Sequence, residues 1–254
     1  MNHTQAAPRT TVPVLDSGYA PPAVSTPLFR IDDRARPTPS LARFALGPIS
    51  LVIAFALFYG GYAPQLVVMC IVGLGLIAFQ WASVLANASR DAYDRAAVTL
   101  MSKGEAKALR ARLHAATFFR WFAPPAELAA RRGAVAASLG ESEEAAKQWK
   151  NAVTAYPRGV VPRSVAVGFA GAAFAAGWDR DAMRAYRALY EGDPELPKVR
   201  VRLAHALAKL GEDQEEAESL LAAAEKGAPD DEIAVARAAL KNAGKKKVTR
   251  AKNG

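Results

Sequence analysis

Apolar and polar positions change their rhythm along the 254 residues in a way that separates distinct segments. Residues 1–41 place prolines among small polar residues with no sustained apolar period, which predicts a disordered, proline-rich tail. From Phe44 to Ser89 there is no Asp, Glu, Lys, Arg or His in 46 consecutive positions. A helix of a soluble protein shows water a polar face, so this run predicts membrane-spanning helices. One crossing needs about 20 apolar residues. The run holds two, at about 43–62 and 65–87, which form a hairpin over 42–88. Gly60-Gly61-Tyr62-Ala63-Pro64 supplies the residues that end one helix and start the next. Ala78, Ala82 and Ala86 stand four apart and predict a close-packed seam against Gly47, Ser50 and Ala54 of the first span, with self-association as the alternative use.

Past the hairpin the period becomes helical and amphipathic. Ala88 to Ser102 continues out of the membrane, Gly104 breaks it, and Glu105 to Phe119 follows with Leu109, Leu113 and Ala116 at helical steps. Pro124-Pro125 stops that helix, so 89–125 reads as a juxtamembrane helical pair. Then one spacing recurs. Ala145-x3-Trp149-x2-Ala152-x4-Pro157 returns as Ala182-x3-Tyr186-x2-Leu189-x4-Pro194 and again as Ala217-x3-Leu221-x2-Ala224-x4-Pro229. Gly140, Gly177 and Gly211 precede the three copies by five or six residues. The resulting period is that of a helix-turn-helix repeat.

Charge refines this picture. The 33 basic residues exceed the 24 acidic ones, giving a net +9. Such a balance suggests nucleic acid in a soluble chain, but its placement here points to a bilayer. Arg9, Arg30, Arg34, Arg36 and Arg43 precede the first span, and Arg90, Arg95, Lys103, Lys107, Arg110 and Arg112 follow the second. Basic residues near span ends stay cytoplasmic, so both termini are expected at the cytoplasmic face of an inner membrane. Ala, Arg and Gly richness fits a GC-rich bacterial genome. Residues 244–254 form a basic tail, and Asp231 to Ala243 reads as a terminal helix.

Residues 126–229 resemble tetratricopeptide repeats. The best unit, 126–159, carries Gly133, Gly140, Ala145, Trp149, Ala152 and Pro157 at the family's spacings. Units 163–196 and 197–229 keep the second-helix positions, and 126–243 is expected to be a repeat array with its terminal helix. The family's bulky first-helix residues are replaced by Ala130, Ala134 and Ala137, and Ala170 stands where the second unit's helix glycine would fall. Residues 89–125 are expected to be a degenerate capping repeat, as array ends depart from the consensus. The fold class is therefore all-α: a two-helix transmembrane hairpin followed by a short α-solenoid.

Candidate chemistry is sparse. Cys70 is the single cysteine, and His3, His114 and His205 are dispersed, so neither a disulfide nor a metal site is expected. No GxxxxGK[ST], GxGxxG, HExxH or GxSxG pattern occurs. Neither a catalytic residue nor a cofactor is expected. The resemblance implies binding along the face made by first helices, where Lys198, Arg202, His205 and Lys209 fall at helical steps. Lys198 and Arg202 resemble two positions of the clamp with which some tetratricopeptide domains hold C-terminal carboxylates. The rest of that clamp is unmatched at Ala130, Ala134 and Gly168, which leaves a general preference for acidic peptides. The expectation is a membrane-anchored adaptor for a protein or peptide partner. A self-associating membrane-assembly component is the alternative, with nucleic-acid tethering through the basic tail a third reading.

Overall fold

The computed structural model describes residues 27–61, 64–225 and 227–252. Most of the proline-rich segment, with His3 and Arg9, and Tyr62 and Ala63 of the turn between the spans lie outside them. Among the described residues the chain is all-helical apart from one two-residue parallel strand pairing.

Helix α1 covers Leu41–Tyr59 and α2 covers Gln65–Ser102, with Gly61 at φ 67° in the turn between them. The 38 residues of α2 extend about 57 Å at 1.5 Å per residue. The uncharged run therefore passes without a break into the charged segment that begins at Arg90. One helix, Val67–Ser102, is long and apolar enough to cross a membrane, and only 6% of its apolar window is buried in the molecule. The apolar part of α1, Pro48–Tyr59, is shorter, about 18 Å against a hydrocarbon core of about 30 Å.

The seam between α1 and α2 differs from the expected alanine row. Ala82 and Ala86 are buried but Ala78 is exposed, and the close approach lies at Gly75, where a Cβ would strike the Ser50 side chain. Steps of four drift off one helix face, because eight residues turn the helix about 80° past alignment. Ala82 and Ala86 each stay within about 20° of Gly75, on either side of it.

The expected single helix over Glu105–Phe119 is two helices, α3 at Ala106–Ala115 and α4 at Thr117–Phe122, with Ala116 at φ −77°, ψ 65° between them. The break turns Phe119 inward, to a cluster with Tyr93, Leu109, Leu113, Ala123 and Val135. Arg131 then lies over the Phe119 ring at 4.9 Å and donates to both Asp94 carboxylate oxygens at 2.9 and 2.6 Å.

Three helix-turn-helix pairs follow: α5 (Pro125–Ser138) with α6 (Ser142–Thr154), α7 (Arg163–Ala175) with α8 (Asp179–Gly192), and α9 (Pro197–Leu210) with α10 (Gln214–Ala224). Gly140, Gly177 and Gly211 take left-handed φ values of 76°, 73° and 70° at the three turns. Each helix packs on the next, and α11 (Asp230–Lys252) packs mainly on α9. The helix α11 thus continues through residues read as a basic tail. The segment holds no proline and is rich in Ala and Lys, which favour helix.

The proline-rich segment also needs correcting. Residues 28–40 lie against the paired helices rather than forming a free tail. Strand β1 (Arg30–Ile31) pairs in parallel with β2 (Val160–Val161). Phe29 is buried with its ring edge-on to Phe169 at 6.3 Å. The Asp32 N–H donates to the Val161 carbonyl at 3.0 Å, and the Arg163 N–H donates to Asp33 Oδ1 at 2.9 Å. Both the N–H and the hydroxyl of Thr38 donate to the Ala155 carbonyl, at 3.2 and 2.9 Å. Burial of one aromatic side chain and satisfaction of these backbone groups offset the chain entropy of ordering the segment.

Candidate functional site

Helix α9 buries Val199, Val201, Leu203, Ala204, Ala206, Leu207 and Ala208, and this orients Lys198, Arg202, His205 and Lys209 along its remaining face. Arg202, His205 and Lys209 gather around Phe174 of α7. His205 meets the ring edge-on at 5.0 Å, and the Arg202 and Lys209 cations lie over it at 5.8 Å each. Lys198 stands apart from the ring but shares a carboxylate with Arg202.

Each of the three basic side chains has an acidic partner within the chain. Arg202 donates to Glu232 of α11 at 3.1 and 3.4 Å and to the Tyr186 hydroxyl at 3.1 Å. Lys198 lies 3.7 Å from the same Glu232, and Lys209 donates to Asp179 at 3.2 Å. Burial opposes the Arg202 charge, but the hydrogen bonds to Glu232 and Tyr186 outweigh it and its pKa stands above the ordinary value. The row thus ties α11 and α8 to α9, and its charge is largely neutralised in place. Glu232, Asp179 and Phe174 are the members that sequence reasoning missed. Their signal is a separation: Arg202–Glu232 and Lys209–Asp179 both span 30 residues, near one repeat length.

Burial first, and then the Lys209 ammonium, lower the His205 pKa below its ordinary value, while Asp179 acts in the opposite sense. A depressed folded-state pKa means that the unfolded chain takes up the proton first. Stability from this group is present above about pH 6.5 and is lost as pH falls through the folded-state value. Wild type is therefore expected to lose more stability than His205→Asn between about pH 7.5 and 5.5. Equal losses in thermal melts of the two proteins would remove His205 from this role.

The repeat positions build a second constellation. Trp149 of α6 is half-buried between two glycines of different helices. A Cβ on Gly133 of α5 would lie 2.6 Å from Trp149 Cδ1, and one on Gly168 of α7 would lie 2.5 Å from Cη2. Ala145, Ala152, Ala182, Tyr186, Leu189, Ala217, Leu221 and Ala224 are buried at the equivalent second-helix positions. Pro157 opens a single 3-10 turn, while Pro194 and Pro229 lie in the links after α8 and α10. Between second helices runs a ladder of ion pairs, Lys150–Asp181 at 3.0 Å and Arg187–Glu216 at 2.7 Å. Their positions are repeat-equivalent: the base follows the aromatic residue of one unit, and the acid precedes the alanine of the next.

Apart from the exposed Arg132 of α5, the corresponding positions of the other first helices carry small or apolar residues. Ala130, Ala134 and Ala137 lie on α5, and Ser164, Val167 and Gly171 lie on α7, with Val167 50% exposed. Among the described residues no three His, Cys, Asp or Glu side chains stand together as metal ligands. No protein-family model matches the chain, and no curated protein matches it.

Proposed function

We propose that this chain is a membrane-anchored adaptor that presents a short tetratricopeptide-like array to a protein or peptide partner at the cytoplasmic face. The observation that carries the reading is continuity: α2 runs from the uncharged segment into the charged one, and α3 and α4 pack on it ahead of the repeat pairs. In this reading α1 and α2 cross the bilayer as a pair, the 19 residues of α1 reaching about 28 Å. The basic residues flanking the uncharged segment keep both termini inside. The array supports binding because stacked helix pairs expose an extended row of first-helix side chains. Since Glu232 and Asp179 occupy the basic residues, the open part of that row is the Ala- and Gly-rich stretch around Val167. Such a surface fits an apolar helix or extended peptide more readily than a carboxylate terminus.

The test is photo-crosslinking of the full-length protein in its own membrane. A photoreactive residue at Val167 is expected to yield a discrete adduct that the same residue at Lys147, exposed on α6, does not. Absence of any adduct at Val167, or an identical pattern at Lys147, would overturn the adaptor reading. An adduct between two copies of the chain would replace it with the membrane-assembly alternative.

A further inference from the structure

Helix α4 is short, but its sequence, Thr-Phe-Phe-Arg-Trp-Phe, divides sharply. Phe119 points into the α2–α3–α5 cluster and is 1% exposed, whereas Phe118 is 48% and Trp121 64% exposed. Large aromatic side chains turned outward together call for an occupant, because exposed apolar surface of this kind is unfavourable in water.

The position of α4 identifies the occupant. Ser83, Ala86, Asn87 and Arg90 of α2 line a shared crevice with Phe119, Phe122, Ala123 and Pro124. These α2 residues are where the uncharged run ends. At 1.5 Å per residue they lie roughly 27–38 Å along α2 from Gln65. A hydrocarbon core of about 30 Å plus headgroups would end at that level. On the other side the Ser40 hydroxyl donates to the Trp121 carbonyl at 3.1 Å, which fixes α4 beside the start of α1. Leu41, the first residue of that helix, is 84% exposed. Phe118, Trp121 and Leu41 therefore extend the lipid-facing surface of α2 sideways at the depth where Trp is favoured. Arg120 is exposed on the same helix and donates to the His114 carbonyl at 2.9 Å, so α4 also carries a cation at the headgroup level.

We infer that α4 is an interfacial helix, with Phe118 and Trp121 inserted into the cytoplasmic leaflet, so that the repeat array rests on the bilayer surface rather than swinging from a single stalk. This rests on the anchoring reading above. Three contacts then fix the attitude of the array: α4 in the leaflet, α2 running into the α3–α5 cluster, and residues 28–40 laid against α7. The outward row around Val167 would face a partner at one set height above the membrane.

Site-directed spin labelling of the full-length chain in phospholipid vesicles tests this. Single cysteines replace Leu74, Phe118 or Lys147 in a Cys70→Ala background, and collisions with oxygen are compared with those of a water-soluble nickel chelate. The labels at 74 and 118 are expected to favour oxygen several-fold over the label at 147. A 118 label that matches 147 while 74 remains lipid-like would overturn the interfacial helix and leave the anchor intact. A 74 label that matches 147 would overturn the anchor and this inference with it. A 118 label shielded from both probes would assign the aromatic face to a protein contact, and so would also overturn it. Because labelling removes Phe118, brominated-chain lipids provide a second measurement on the native side chain. Wild type is expected to show a quenchable emission component that Trp121→Phe lacks, and equal quenching would overturn the insertion of Trp121.

Discussion

Gly168→Ala is expected to lower the melting temperature of the purified full-length protein, while in a Trp149→Leu background the same substitution is expected to raise it. The added methyl would lie 2.5 Å from the six-membered ring of Trp149. An indole has little room to move away from such a contact, because the Gly133 backbone closes off its other end, where even a Cβ would come within 2.6 Å of Cδ1. Overpacking of this kind costs typically 1–3 kcal/mol. The helix-propensity gain from replacing glycine with alanine returns only about 1 kcal/mol. At 2.5 Å the contact is far inside any ordinary Cβ approach, so the upper part of the overpacking range applies, about 2–3 kcal/mol. The net loss should be about 1–2 kcal/mol, or roughly 2–8 °C for a chain of this size. Once Trp149 is shortened the steric term vanishes and the propensity term remains, so the sign reverses. If Gly168→Ala destabilised both backgrounds equally, Trp149 would not be the group that requires glycine there.

That nest shows how far the sequence could be read. Gly133 and Trp149 belong to one repeat unit, and the spacing within that unit singled out both positions. Gly168 belongs to the next unit, and spacing within a unit says nothing about how far an indole reaches beyond it. The same blind spot hid the ladder Lys150–Asp181 and Arg187–Glu216, because each pair joins residues of neighbouring units. Segments stabilised by one distant contact were not legible either. Phe29 stands in a proline-rich stretch without apolar periodicity, and its partner Phe169 lies far along the chain, so no local period marks it. The all-helical class was legible because the 3.6-residue period and the turn glycines are local signals. The membrane hairpin was read from a run of 46 uncharged residues, yet the described helices supply one of crossing length. Length along a helix is a stricter measure than absence of charge.

Glu232→Ala is expected to release α11 locally, with amide exchange over residues 230–243 accelerated about tenfold or more while α5 to α8 stay protected. Glu232 is the shared acceptor of Arg202 and Lys198, and α11 has little else of comparable strength. Ile233 and Ala236 are its only fully buried apolar side chains among the described residues. Exposed ion pairs contribute about 0–1 kcal/mol and breaking a fully buried one costs about 3–5 kcal/mol. The Arg202 and Glu232 side chains are 27% and 24% exposed, so an intermediate loss of about 2 kcal/mol is expected, enough for the tenfold change. Arg202→Met alone should be nearly as damaging, because it strands the carboxylate beside Lys198 only. The double variant Arg202→Met/Glu232→Met should recover part of that loss, since an apolar pair needs no desolvation of charge. Release of α11 also uncovers the basic row on α9, so Glu232→Ala should bind an acidic peptide that wild type does not. Unchanged exchange over 230–243 would mean that Ile233 and Ala236 hold the helix by themselves. The row on α9 would then be a surface whose charges merely happen to be paired.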